Sequence, residues 1–109
     1  MKQWHSVGPT DHFPPESGRE VVVGNRVLAV FRVGEAFYAL DGLCDHQAGP
    51  LGRGALNGHV VTCPWHGWRY DVRSGQHVDI PSLVHGTFAT RVEQGELFVE
   101  IAVDGAAAP

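Results

Sequence analysis

Thiols are scarce in this 109-residue sequence: Cys44 and Cys63 are the whole supply. Two cysteines cannot staple a loop-rich secreted scaffold with several bridges, and in a reducing compartment even a single disulfide is disfavoured, so metal or redox chemistry becomes their more interesting use. Basic charge is short as well. Eight Lys and Arg stand against twelve Asp and Glu, a net charge of -4 that excludes a broad basic face and with it a nucleic-acid or anionic-membrane partner. A basic protein partner stays open. No stretch approaches the roughly 20 apolar residues that span a bilayer. The opening MKQWHSVGPT lacks the apolar run and small-residue cleavage site of a secretory leader, so a cytoplasmic protein is expected. Also missing are a nucleophile set beside a base, a phosphate-cradling glycine loop and a mononuclear-iron triad. The length leaves no room for a second, catalytic domain, and one domain over 1–109 is expected.

Helical periodicity is absent too, since no run of ten or more residues repeats apolar positions every three to four. What is present is an ordinary globular balance, 43% hydrophobic and 18% charged, arranged in short alternating or β-branched runs between glycines. The expected fold is all-β. Strands are predicted at Trp4 to Val7, Arg19 to Val23, Arg26 to Val33, Phe37 to Leu40, Val60 to Cys63, Arg69 to Val72, Phe88 to Val92 and Leu97 to Ile101. Gly24-Asn25, Gly34-Glu35, Ser74-Gly75 and Gln94-Gly95 supply turn chemistry between them, and Asp11 to Ser17 reads as a proline-stiffened connection. Residues 102–109 carry too little periodic apolar sequence to require order and are expected to form a flexible tail. The segment Asp41 to Gly58 shows no clear strand, and a loop of that length in a small β domain usually binds something.

That segment and the next strand carry Cys44-x-His46 and Cys63-x-x-His66. Each pair places a thiol and an imidazole close together on a tight loop, so two loops could converge on one centre. Three readings compete. Buried core cysteines with incidental histidines explain a lone Cys or His well and a doubled pair poorly. A tetrahedral zinc site suits the ligand types, as would stabilise a small binding module. A 2Fe-2S cluster with two histidines replacing two cysteines suits them equally, and the mixed pairing favours it: zinc fingers usually pair Cys with Cys and His with His, whereas here each loop offers one of each.

CDH at Cys44 and CPWHGWRYD at Cys63 resemble the Rieske ferredoxins and the Rieske domains of ring-hydroxylating oxygenases. The resemblance implies a Rieske-like antiparallel β-sandwich with a small cluster-binding subdomain inserted, the cluster-binding loops falling within residues 41–81. It implies one Rieske-type 2Fe-2S cluster, with Cys44 and Cys63 on one iron and His46 and His66 on the other. Two ferric ions, two sulfides, two thiolates and two neutral imidazoles sum to zero charge, and adding one electron gives only minus one. An all-cysteine cluster is more negative in both states and harder to reduce, in line with roughly -150 to +300 mV for Rieske centres against about -400 mV for plant-type ferredoxins.

The same resemblance bears on tuning. High-potential family members carry an extra cysteine in each loop and a serine after the second His-Gly; here Gln47 to Pro50 and Pro64-Trp65 hold no further thiol, and Trp68 stands where the serine would. A potential at the low end of the range is expected. Tyr70 falls where a family tyrosine reaches a cysteine sulfur, and equally suits a core aromatic. Pro81 in DIPSL resembles the proline of the loop that covers the cluster, and equally an ordinary loop proline; Trp65, Leu43 and Leu51 are candidate shields. Gly49, Gly52, Gly54 and Gly67 suit close backbone approach near the ligands. His5, His12, His59, His77 and His85 lack a paired cysteine and stay outside the expected site. The implied role is a monomeric one-electron carrier without a small-molecule substrate, taking electrons from a reductase to a terminal oxygenase. The small subunit of an assimilatory nitrite reductase is similar enough to be the alternative.

Overall fold

The computed structural model describes residues 2–24, 26–42, 49–65 and 67–102. Among the described residues, ten strands form three antiparallel sheets: β1 (Lys2–Pro9), β2 (Ser17–Val23), β3 (Arg26–Val33), β4 (Ala36–Asp41), β5 (Ala55–Asn57), β6 (Val60–Thr62), β7 (Arg69–Asp71), β8 (Thr87–Phe88), β9 (Thr90–Glu93) and β10 (Glu96–Ala102). The orders are β1-β10-β9, β2-β3-β4-β8 and β5-β6-β7. The four-stranded sheet is the middle layer, and the small third sheet is inserted between β4 and β8.

The alternation of β3 and β4 explains the layering, because neighbouring side chains on a strand point to opposite faces. Ala29 and Phe31 of β3 and Leu40 of β4 pack with Leu51, Val61, Cys63, Tyr70 and Val72, against the small sheet. Leu28 and Val30 of β3, with Phe37 and Ala39 of β4, pack with Phe13, Leu97, Val99 and Ile101, against the β1-β10-β9 sheet. Leu28 through Phe31 are consequently all buried, and the unbroken apolar run LAVF is a strand covered on both faces.

Eight strands were expected and their positions hold, but two features of the path differ. The run Phe88 to Val92 is not one strand. It breaks at exposed Ala89: Phe88 pairs with Ala39 in the middle sheet, Thr90 with Val99 in the outer one, and the Ala89 carbonyl accepts the Glu100 N–H at 2.9 Å. A strand that changes sheets is how a sandwich turns a corner. The segment Asp41 to Gly58 is also less irregular than expected, holding a 3-10 turn at Leu51–Arg53 and β5. Gly52 packs so closely on β2 that an added Cβ would lie 2.9 Å from the Glu20 nitrogen, which docks this segment on the middle sheet without a side chain between them. The Gln94-Gly95 turn has φ of 52° and 79° and closes β9 on β10 as expected. Of the expected 102–109 tail, Ala102 is instead the last residue of β10; residues 103–109 and Asn25 lie outside the described residues.

Phe31 joins the middle layer to the small sheet and is wholly buried. Truncating it as Phe31→Ala should cost about 3–5 kcal/mol, read as a fall in the denaturant midpoint; a change under about 1 kcal/mol would mean that the small sheet does not rely on this contact.

Candidate metal centre

The small sheet positions one expected ligand directly. In β6, Val61 is buried against the middle sheet and pairs with Tyr70 of β7, and Thr62 pairs with Arg69. The ladder then runs one step further: the Cys63 N–H donates to the Trp68 carbonyl at 2.7 Å. That bond closes the Cys63-to-Trp68 loop at its base, and Cys63 itself is 1% exposed. Gly67 turns the loop with φ of 71°. His66 falls within this loop in sequence but lies outside the described residues; Leu43, Cys44 and His46, which belong to the other loop, lie outside them as well.

The loop that carries Cys44 and His46 is closed in the same manner. Gly42 donates its N–H to Val27 of β3 at 2.9 Å, and its carbonyl accepts the Leu51 N–H at 3.0 Å. Leu51 is buried in the core beside Cys63, so it serves as packing beneath the site. The two loops meet at Gly49, where an added Cβ would lie 2.6 Å from Cys63 Sγ and 3.1 Å from Trp65 Cβ. Backbone from the first loop therefore rests directly on the thiol of the second. A buried thiol under a side-chain-free backbone segment, with donors of both kinds in each loop sequence, fits a metal group held between the loops.

The remaining expected residues fall around this point in different ways. Trp65 is 49% exposed, so it borders solvent while its Cβ faces Gly49. Trp68 is half-buried against the core cluster that contains Cys63 and Tyr70. Tyr70 is wholly buried there, its ring flanked by His77 at 5.2 Å and His85 at 5.1 Å. Pro81 is exposed, and its carbonyl accepts Gln76 Nε2 at 3.0 Å. Arg69 pairs with Asp79 at 2.7 Å and Arg73 grips Asp71 through both carboxylate oxygens, so the base of this segment is laced by surface ion pairs. The Arg73 guanidinium holds the Asp71 carboxyl below its usual range, and Asp71 in turn raises Arg73.

Residues 3–97 match the family described as the Rieske 2Fe-2S domain. The chain belongs to that family. Rieske domains hold one 2Fe-2S cluster in which two histidines replace two cysteines on one iron. Among individual Rieske proteins, the chain is 38% identical over 98 residues to the ferredoxin CarAc of Metapseudomonas resinovorans, spanning 88% of this chain and 92% of that one. The solved complex of reduced oxygenase and oxidized ferredoxin in carbazole 1,9a-dioxygenase contains a chain with a TM-score of 0.80 and 36% identity, covering 88% of this chain and 91% of that one. A putative NADH-dependent nitrite reductase small subunit from Mycobacterium tuberculosis superimposes with a TM-score of 0.85, covering 95% of this chain and 99% of that one. At 19% identity this similarity speaks for the Rieske fold alone.

Two residues escaped the sequence reading of this Rieske domain. His77 and His85 are 3% and 2% exposed, and both pack on Tyr70. His85 Nε2 lies 2.8 Å from the Asp41 carbonyl at the end of β4. Neither carries a local signal, because a histidine without a paired ligand looks the same in sequence whether solvated or buried.

Gly49→Ala should force Cys63 Sγ aside while the sheets remain folded. Iron retained per chain through a chelator challenge should fall about tenfold or more with an unchanged far-ultraviolet circular dichroism spectrum; full retention would show that the contact between the loops is not needed to hold the metal.

Proposed function

We propose that this chain is a one-electron carrier of the cytoplasm, with Cys44, His46, Cys63 and His66 holding its Rieske cluster within residues 41–81 and reductase and oxygenase proteins as its transient partners. The observation that carries this reading is the near end-to-end similarity to a stand-alone ferredoxin, 92% of whose length is matched. When bound, the cluster takes up and gives back one electron at mild potential. The protein's own part is to bury Cys63, close both ligand loops with backbone hydrogen bonds, and leave Trp65 at the surface beside them. None of these contributions needs an organic substrate. Solved complexes of a ferredoxin with the oxygenase of carbazole 1,9a-dioxygenase support an oxygenase as the acceptor. No helix among the described residues is long and apolar enough to cross a membrane, which is in keeping with a carrier that moves between partners.

Trp68 supports a low potential. Its half-buried indole packs in the core cluster at the place of the tuning serine of high-potential relatives, so that position offers no hydroxyl to stabilise the reduced state. Film voltammetry should give a midpoint of roughly -150 to 0 mV. In stopped-flow mixing, the reduced protein should reoxidise in a single phase with an oxidised Rieske oxygenase. A midpoint well above 0 mV would reject the tuning argument. Stable copurification with a large sirohaem protein, without reaction towards an oxygenase, would reject the carrier in favour of a nitrite reductase subunit.

A further inference from the structure

His77 is buried and its Nδ1 accepts two backbone hydrogen bonds, from the N–H groups of Asp79 and Ile80, each at 3.0 Å. A ring nitrogen that accepts must be unprotonated, so the proton of the neutral imidazole sits on Nε2. These two bonds do what an Asn or Asp side chain does in an Asx turn, satisfying donors that the tight turn leaves without a backbone acceptor. The backbone of the same residue ties the other end of the loop: the His77 N–H donates to the Leu83 carbonyl at 2.8 Å, and the Leu83 N–H to the Ile80 carbonyl at 2.9 Å. Residues 77–83 thus wrap around one imidazole.

The imidazole is in turn seated on the site. Its ring stands edge-on to Trp68, with centroids 4.8 Å apart and planes at 82°, and edge-on to Tyr70 at 5.2 Å and 72°. Trp68 is the residue whose carbonyl closes the Cys63 loop, and Tyr70 shares a core cluster with Cys63. One side of His77 therefore contacts two residues packed with Cys63, and one nitrogen organises the Asp79–Pro81 loop.

We propose that His77 is a positioning residue of the Rieske centre: its imidazole locks the Asp79–Pro81 loop against Trp68 and Tyr70, and so limits the access of water to the cluster. The inference rests on the proposed cluster site and on the resemblance of Pro81 to the proline of the family's cluster-covering loop. An exposed cluster gains solvation most in its reduced, more negative state, so loosening the cover raises the potential. An aliphatic residue at 77 would fill the core and leave the two N–H groups without their acceptor; asparagine would restore an acceptor without the ring.

The test compares wild type, His77→Leu and His77→Asn as holoproteins, by hydrogen exchange of the peptide spanning 78–83 and by voltammetry. In wild type the Asp79 and Ile80 amides should be protected. His77→Leu should speed their exchange about tenfold or more, as loss of two hydrogen bonds implies, and should shift the midpoint upward; His77→Asn should bring both readings back towards wild type. Unchanged exchange in His77→Leu would overturn the anchoring, and faster exchange with an unmoved midpoint would overturn the link to the cluster. If His77→Leu does not fold, His77→Asn decides alone: a protected loop and a near-native midpoint support the proposal, and a loop exchanging as if unanchored with a native midpoint overturns it. Both readings are independent of any partner protein, so a failure of electron delivery to an oxygenase would count against the carrier function and leave this result standing.

Discussion

The double-sided burial of β3 is the constraint from which the rest of the architecture follows. A strand with Leu28 and Val30 on one face and Ala29 and Phe31 on the other must be covered twice. The outer β1-β10-β9 sheet covers one face and the inserted β5-β6-β7 sheet covers the other. Burying apolar surface is worth about 25 cal/mol per Å², so neither cover can lift without a cost comparable to a large part of a small domain's marginal stability. The small sheet is thereby held as a rigid base, and the ligand loops project from it and from the end of β4.

Rigidity matters for a carrier because its charge state changes by one and its surroundings should not reorganise. Two short backbone bonds, Gly42 to Leu51 and Cys63 to Trp68, fix where each ligand loop leaves and rejoins the framework. Gly49 then lets the first loop rest on the Cys63 sulfur, a contact that any larger residue would block. The surface ion pairs, Arg69 with Asp79 and Arg73 with Asp71, are screened by solvent and contribute little. Packing and loop closure dominate at the centre.

How much of this the sequence displayed depended on whether a feature was encoded locally. The strands β3 and β4 were legible because alternation and glycine punctuation bracket them. The Cys-His pairs stood out because their spacing is short, although Cys44, His46 and His66 lie outside the described residues. β5 was not, since three residues between glycines show no period. The sheet change at Ala89 was hidden inside a continuous run of strand-forming residues, and only the partners Ala39 and Val99 reveal it. The burial of His77 and His85 was equally invisible, because it depends on Tyr70 and, for His85, on the distant Asp41 carbonyl.

The mixed pairing of a thiol and an imidazole on each loop is the feature on which the proposed ligand set rests, and that set would fix the cluster's charge and hence its working range. Pulsed electron paramagnetic resonance of the dithionite-reduced protein tests it most directly, by counting nitrogen nuclei coupled to the cluster. The proposed ligand set of Cys44, Cys63, His46 and His66 predicts two strongly coupled imidazole nitrogens. A reduced cluster showing no such coupling, or a protein that carries zinc in place of iron and sulfide, would contradict it.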